Sequence, residues 1–151
     1  QAVEETVALF EHEAKRHRIA INRHYQDGLP AVHTSAAQLQ QVILNILHNA
    51  IDAIGKDGAI DITSRADRGY IVVEFADTGP GLTPEVMSHL YDPFFTTKPK
   101  GKGTGLGLYV SRDVMARLGG ELTAANRTGG GAVFSVHLPL TAPTREEFTS
   151  A

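Results

Sequence analysis

The 151-residue chain is 42% hydrophobic, sets 14 Lys plus Arg against 17 Asp plus Glu for a formal net charge of −3, and contains no cysteine. That length and apolar content suffice for one domain with a buried core. The charge balance excludes a globally basic binder of nucleic acid or anionic membrane, and the missing thiols exclude disulfides, thiolate metal sites and cysteine nucleophiles.

The absence of cysteine fits a reducing compartment and no apolar run approaches the length that crosses a bilayer; the expected setting is cytoplasmic, with no membrane contact by this domain. The first residue is Gln1 rather than Met, which predicts a segment of a longer polypeptide. In chain order, Val3, Val7, Leu9, Phe10 and Ala14 predict an amphipathic helix over residues 3–16, and alternation over 19–25 predicts a half-buried strand. Asp27-Gly28-Leu29-Pro30 marks a turn. Ser35 is placed to cap a long helix that runs to Ile54 and stops at Gly55 and Asp57-Gly58. Strands are predicted over 59–65 and 70–76, joined as a hairpin by a turn at 66–69. A short helix over 83–90 has Pro84 at its first helical position. Another helix spans 106–118 and ends at Gly119-Gly120. Strands at 121–126 and 132–138 flank the turn Gly129-Gly130-Gly131, and residues 141–151 lack apolar periodicity and read as a disordered tail or linker. The sum is an α+β two-layer sandwich over residues 1–140, with largely hairpin-connected strands and helices on one face.

Three stretches carry chemistry. On the long helix, Leu39, Val42, Ile43, Ile46, Leu47, Ala50, Ile51 and Ile54 share one arc, and Gln38, Gln41, Asn45, His48, Asn49 and Asp52 share the other. Asparagine is a poor helix former, costing ~0.5 kcal/mol or somewhat more at each mid-helix position. Either the amides hydrogen-bond neighbouring loops, or their oxygens face a magnesium-bearing nucleotide, since Mg²⁺ takes oxygen ligands. The second stretch, Asp77-Thr78-Gly79-Pro80-Gly81, ends a strand. It reads as an ordinary turn, or as a carboxylate that accepts from an exocyclic amine while glycines let a base approach. The third, GKGTGLGL, has Gly101, Gly103, Gly105 and Gly107 at alternate positions. That spacing fits neither the dinucleotide fingerprint nor the Walker pattern. It leaves either a flexible connection or an unobstructed loop entering a helix N-terminus, where N–H groups favour an anion and Lys98, Lys100 and Lys102 add charge.

The ordered stretches ILNILHNAIDAI, DTGPGL, DPFFTTK and GKGTGLGL resemble the N, G1, F and G2 boxes of the catalytic ATP-binding domain of bacterial sensor histidine kinases, in the superfamily that includes gyrase, mismatch-repair ATPases and chaperones. The likeness spans residues 36–140 and is greatest to the nitrogen-regulation and oxygen-sensing subgroup, whose lid carries Phe-Phe-Thr-Thr-Lys. It implies a Bergerat-type fold: a mixed sheet of about five strands, three main helices on one face and a mobile ATP lid. It implies ATP and Mg²⁺ as ligands, with Asn49 on the metal and Asn45 near the phosphates. Asp77 would meet adenine, with Gly79 and Gly81 beneath the base, and Phe94 and Phe95 would anchor the lid. Lys98, Lys102, Gly103, Thr104, Gly105, Leu106 and Gly107 would face the phosphates, and residues 96–104 would move.

The chain departs from many such kinases in carrying Asp52 where a basic residue follows the metal asparagine, so Lys98 or another lid lysine is expected to supply that charge. The superfamily's ATPases place a glutamate base where this chain has Asn45, and an amide cannot take a proton at neutral pH. The implied activity is therefore transfer of the γ-phosphoryl to a histidine on a dimerisation domain, and onward to a response regulator. An ATPase and a non-catalytic nucleotide-binding module are the alternatives. Glu11-His12-Glu13 places an acidic residue after a histidine but lacks the acceptor box's proline and spacing, so the acceptor is expected outside this chain.

Overall fold

The computed structural model describes residues 2–29, 35–89 and 107–140. Its centre is helix α2 (Ala36–Ile54), which follows β1 (Ile19–Tyr25) and precedes β2 (Gly58–Asp67). The Ser35 Oγ accepts from the Gln38 N–H at 3.2 Å, satisfying one orphan donor at the helix start. Gly55 ends the helix with φ 79° and its N–H on the Ile51 carbonyl. The predicted arc is buried from Leu39 to Ile51, and its last member, Ile54, is half-buried against the core; each fully buried Leu, Ile or Val stabilises the fold by about 1.5–3 kcal/mol.

The two strands flanking α2 pair in parallel, as a crossover helix requires, and every other pairing is antiparallel in the order β1-β2-β3-β5-β4. Here β3 is Tyr70–Asp77, β4 is Glu121–Asn126 and β5 is Ala132–Pro139. The β2–β3 ladder continues to the pair Asp67↔Tyr70, so the turn is the two-residue Arg68-Gly69 rather than the four-residue one expected from sequence. Both residues have positive φ, 54° and 86°, the mirror-image turn whose twist matches that of paired strands.

Helix α1 (Ala2–Arg16) packs on α2 and β1, while α4 (Gly107–Arg117) packs on α2 and β4; the short α3 is Pro84–His89. Val7, Phe10 and Ala14 of α1, Val114 and Met115 of α4, and Ile60, Ile62, Val73, Phe75, Phe134 and Val136 of the sheet form one core with the α2 stripe. Leu9 does not join it. At 65% exposure it lies off the Val3–Val7–Phe10–Ala14 stripe, because two residues past Val7 turns the side chain to the opposite flank of a helix. The fold expected from sequence, a mixed five-stranded sheet beneath helices, is what the chain adopts. Among the described residues, no helix is long and apolar enough to cross a membrane.

Candidate functional site: a helix arc, a strand-end carboxylate and a glycine turn

The polar arc of α2 divides by what its members touch. Asn45 Nδ2 donates to the Ser111 Oγ at 2.9 Å, and Ser111, on α4, is fully buried. The Gln41 amide approaches the Asn45 Oδ1 at 3.4 Å. Asn45 is thus held by the helix whose first residue, Gly107, stands one turn before Ser111. Asn49 is half-buried and makes no hydrogen bond among the described residues. His48 belongs to the structural side instead, meeting the Phe10 ring edge-on at 4.7 Å. Asp52 is exposed.

Asp77 ends β3 and is 2% exposed. Its Oδ1 accepts from two backbone N–H groups, Gly79 at 2.9 Å and Ala132 at 3.2 Å. No described residue donates to its Oδ2. A buried carboxylate anchored through one oxygen by main-chain donors has a fixed orientation and a spare acceptor. The loop it begins lies against the end of α2: a Cβ built on Gly79 would stand 3.2 Å from Ala53, one helical turn beyond Asn49. Asn45, Asn49, the Asp77–Gly79 loop and the α4 N-terminus therefore gather on one side of the molecule.

Of the strap residues singled out in the sequence, only Gly107 is described, as the first residue of α4. Phe94, Phe95, Lys98, Lys100, Lys102, Gly103, Thr104, Gly105 and Leu106 lie outside the described residues.

Sequence reasoning missed the β4–β5 turn as part of the site, taking Gly129-Gly130-Gly131 for a simple connection. Gly131 has φ 95°, and a Cβ there would overlap the Asp77 carbonyl oxygen. The next residue, Ala132, supplies one of the two N–H groups on Asp77. The signal was one glycine more than a tight hairpin turn needs. A shallow depression of about 450 Å³ opens beside this turn, lined by Thr78, Gly79, Arg127, Thr128, Gly129 and Gly130. Neither Asn45 nor Asn49 lines it, so the asparagine arc is related to the loop by the Gly79–Ala53 approach and not by this depression.

A family described as histidine kinase-, DNA gyrase B- and HSP90-like ATPases matches residues 34–142. The chain belongs to this family. Among its relatives, the two-component sensor PprA of Pseudomonas aeruginosa is 40% identical over 149 residues, covering 94% of this chain and 16% of that protein. The chain thus spans about a sixth of the length of that relative. The solved catalytic domain of the histidine kinase ThkA superposes with a TM-score of 0.84 at 32% identity, covering 93% of this chain and 91% of that one. ThkA has also been solved in complex with the response regulator protein TrrA, a match of TM-score 0.79 at 29% identity that covers 93% of this chain and 40% of that one. Full-length ShkA in complex with AMPPNP superposes with a TM-score of 0.82 at 26% identity, covering 95% of this chain and 30% of that one. Membership accounts for the mixed sheet and its one helical layer, and identifies the chain as related to the ATP-binding domains of sensor histidine kinases.

Proposed function

We propose that this chain is the catalytic domain of a two-component sensor histidine kinase, binding ATP with Mg²⁺ and transferring the γ-phosphoryl to a histidine on a separate dimerisation domain. The observation that carries the reading is the buried Asp77, held on Oδ1 by the Gly79 and Ala132 N–H groups beside the asparagine face of α2. Its spare oxygen suits the exocyclic amine of adenine. Guanine presents a carbonyl at that edge and would leave the carboxylate facing an acceptor. Asn49, whose amide has no hydrogen-bond partner among the described residues, carries a hard oxygen ligand suited to Mg²⁺. The metal would offset charge on the phosphates.

Asn45 is committed to Ser111 and has no basic lone pair with which to activate water, which supports transfer over hydrolysis. The domain's share of the reaction is then to hold the phosphate in line. The bond from the γ-phosphorus to the β,γ-bridging oxygen breaks as a bond to an imidazole nitrogen forms; ADP leaves, and the imidazole proton passes to solvent. Lys98, Lys102 and the 103–107 segment are assigned to the phosphates, residues 1–140 to the domain, and 141–151 to a tail or linker. The subgroup assignment to nitrogen-regulation and oxygen-sensing kinases rests on Phe-Phe-Thr-Thr-Lys at 94–98. A response regulator as onward acceptor is supported by the ThkA complex with TrrA, and a cytoplasmic setting by the chemistry of ATP.

The test is to incubate the chain with γ-labelled ATP, Mg²⁺ and a separately purified acceptor domain from a related kinase or from the parent protein. Acid-labile, base-stable label on the acceptor histidine is expected, with little ADP released when the acceptor is omitted. Tight nucleotide binding without phosphohistidine on the parent protein's own acceptor would mark a non-catalytic module, and steady ADP release by the chain alone would mark an ATPase.

A further inference from the structure

Asn126 at the end of β4, Arg127 and Gly131 in the β4–β5 connection, and the strand residue Ala132 make a set of contacts with residues 77–82 that a hairpin turn does not need. The Asn126 side chain pairs with the Leu82 peptide as a strand would: Leu82 N–H donates to the Asn126 Oδ1 at 2.6 Å, and the Asn126 Nδ2 donates to the Leu82 carbonyl at 2.9 Å. Gly81, with φ 86°, lets the loop pass the same amide, since a Cβ there would lie 3.0 Å from the Asn126 Oδ1. Arg127 grips the other end of the loop. Its Nη1 donates to the Asp77 carbonyl at 3.3 Å and its Nη2 to the Asp61 carboxylate at 2.6 Å. Asp61 is itself fixed by the Asn22 amide at 2.8 Å. The Arg127 N–H also closes the turn onto the Gly131 carbonyl at 2.8 Å, which sets the position of the neighbouring Ala132 N–H on the Asp77 Oδ1.

We propose that Asn126 and Arg127 are positioning residues for base recognition: they latch the β4–β5 turn onto both ends of the Asp77–Leu82 loop and so fix the direction in which the Asp77 carboxylate presents its Oδ2. Neither side chain needs to touch the nucleotide. The inference rests on Asp77 being the adenine contact. The physical argument is that a carboxylate discriminates between bases only if its orientation is set before binding. Asp77's two anchors come from different segments, Gly79 in its own loop and Ala132 across the turn. Unlatching the turn frees the second anchor relative to the first. The carboxylate can then rotate, and ordering it again on binding weakens adenine preference as well as affinity.

The experiment measures ATP and GTP dissociation constants for the chain and for Asn126→Ala, Arg127→Ala and Arg127→Lys, each with its melting temperature. The two alanine variants are expected to bind ATP about tenfold more weakly, the loss of one charge-assisted contact, and to lose most of the preference for ATP over GTP. Arg127→Lys, which keeps a cation at Asp61, is expected to fall between them and wild type. A merely structural role would lower the melting temperature and leave the ATP-to-GTP ratio untouched in the folded protein; that result overturns the proposal. Should the alanine variants not fold, hydrogen exchange in wild type decides, because the latch predicts that saturating ATP slows exchange at both the Leu82 and Ala132 amides. Unchanged exchange at both overturns it. A wild type that binds ATP and GTP equally, or an Asp77→Ala variant with unaltered ATP affinity, removes the adenine reading beneath the latch, an outcome distinct from a wild-type preference that survives in all three variants.

Discussion

The two carboxylate oxygens of Asp77 differ in what they meet, since Oδ1 takes the Gly79 and Ala132 N–H groups and Oδ2 has no donor among the described residues. Asp77→Ala is expected to cost ATP binding ~1.5–3 kcal/mol, the worth of a hydrogen bond to a charged group, or roughly ten- to a hundredfold in affinity. GTP binding should barely change. Titration calorimetry reads both, and an unaltered ATP affinity would refute the adenine contact. For Asn49, whose amide has no described partner, Asn49→Ala should abolish the gain in ATP affinity that Mg²⁺ gives wild type while sparing metal-free binding; a variant that keeps the Mg²⁺ gain removes Asn49 from the metal. These residues were legible in sequence because each is unusual where it stands: asparagines in the middle of a helix, a carboxylate between a strand and two glycines. The Ala132 N–H and the Arg127 guanidinium were not legible. Every residue but proline carries a backbone donor, and nothing in the sequence marks which one a fold will aim at a carboxylate 55 positions away.

Elements obey the same distinction between local and long-range information. The cap, span and apolar arc of α2 were written in its own residues, and the structure keeps all three. Strand order was not, because the parallel β1–β2 pairing and the insertion of β5 between β3 and β4 depend on which edges meet. The β2–β3 ladder outran its expected end because Ala66 and Asp67, weak strand formers, are carried into it by partners Ile71 and Tyr70. The β4–β5 turn shows how an element is shaped by a distant neighbour. Gly131 holds φ 95° with its α-carbon pressed toward the Asp77 carbonyl. Gly131→Ala would cost about 1–2 kcal/mol for the left-handed backbone alone, and the added methyl must displace either the turn or the end of β3. Thermal unfolding should show a drop of several degrees, accompanied by weaker ATP binding. Gly129→Ala, at φ 90° but with open space around its Cβ position, should show the backbone penalty without the binding loss. If both variants bind ATP alike, the turn does not act through Asp77.

At the scale of the whole molecule, two polar networks join distant segments, and they fail at opposite ends of the pH range. Asp61 links β2 to Asn22 of β1 and to Arg127 of the β4–β5 turn. The Asn22 hydrogen bond, opposed by partial burial and aided by Arg127, lowers its pKa below the ordinary 3.8. A depressed carboxylate pKa adds stability that is present above the unfolded value and is lost as pH falls through the folded one. The network therefore contributes at neutral pH and disappears in acid, below about pH 4. The second network ties α1 to β1. Glu4 accepts from Arg23 at 2.9 Å and from the Tyr25 hydroxyl at 2.9 Å, with Glu11 3.4 Å from the same guanidinium. Burial first, then the Glu4 hydrogen bond and charge, push the Tyr25 pKa from 10.0 up to about 12. A raised tyrosine pKa means that the unfolded chain ionises first. Its contribution is complete below pH ~10 and vanishes as pH climbs through the folded value. Chemical denaturation across the pH range should then show two separable limbs. Asp61→Asn should flatten the acid limb and leave the alkaline one, and Tyr25→Phe should do the reverse, since phenylalanine keeps the ring's packing and removes its proton. Because Asp61 also anchors Arg127, the acid limb should coincide with loss of ATP preference over GTP, and the alkaline limb should not. A pH at which Asp61 is protonated while base selectivity stays at its neutral value, in protein still folded, would show that the two functions of that carboxylate are independent.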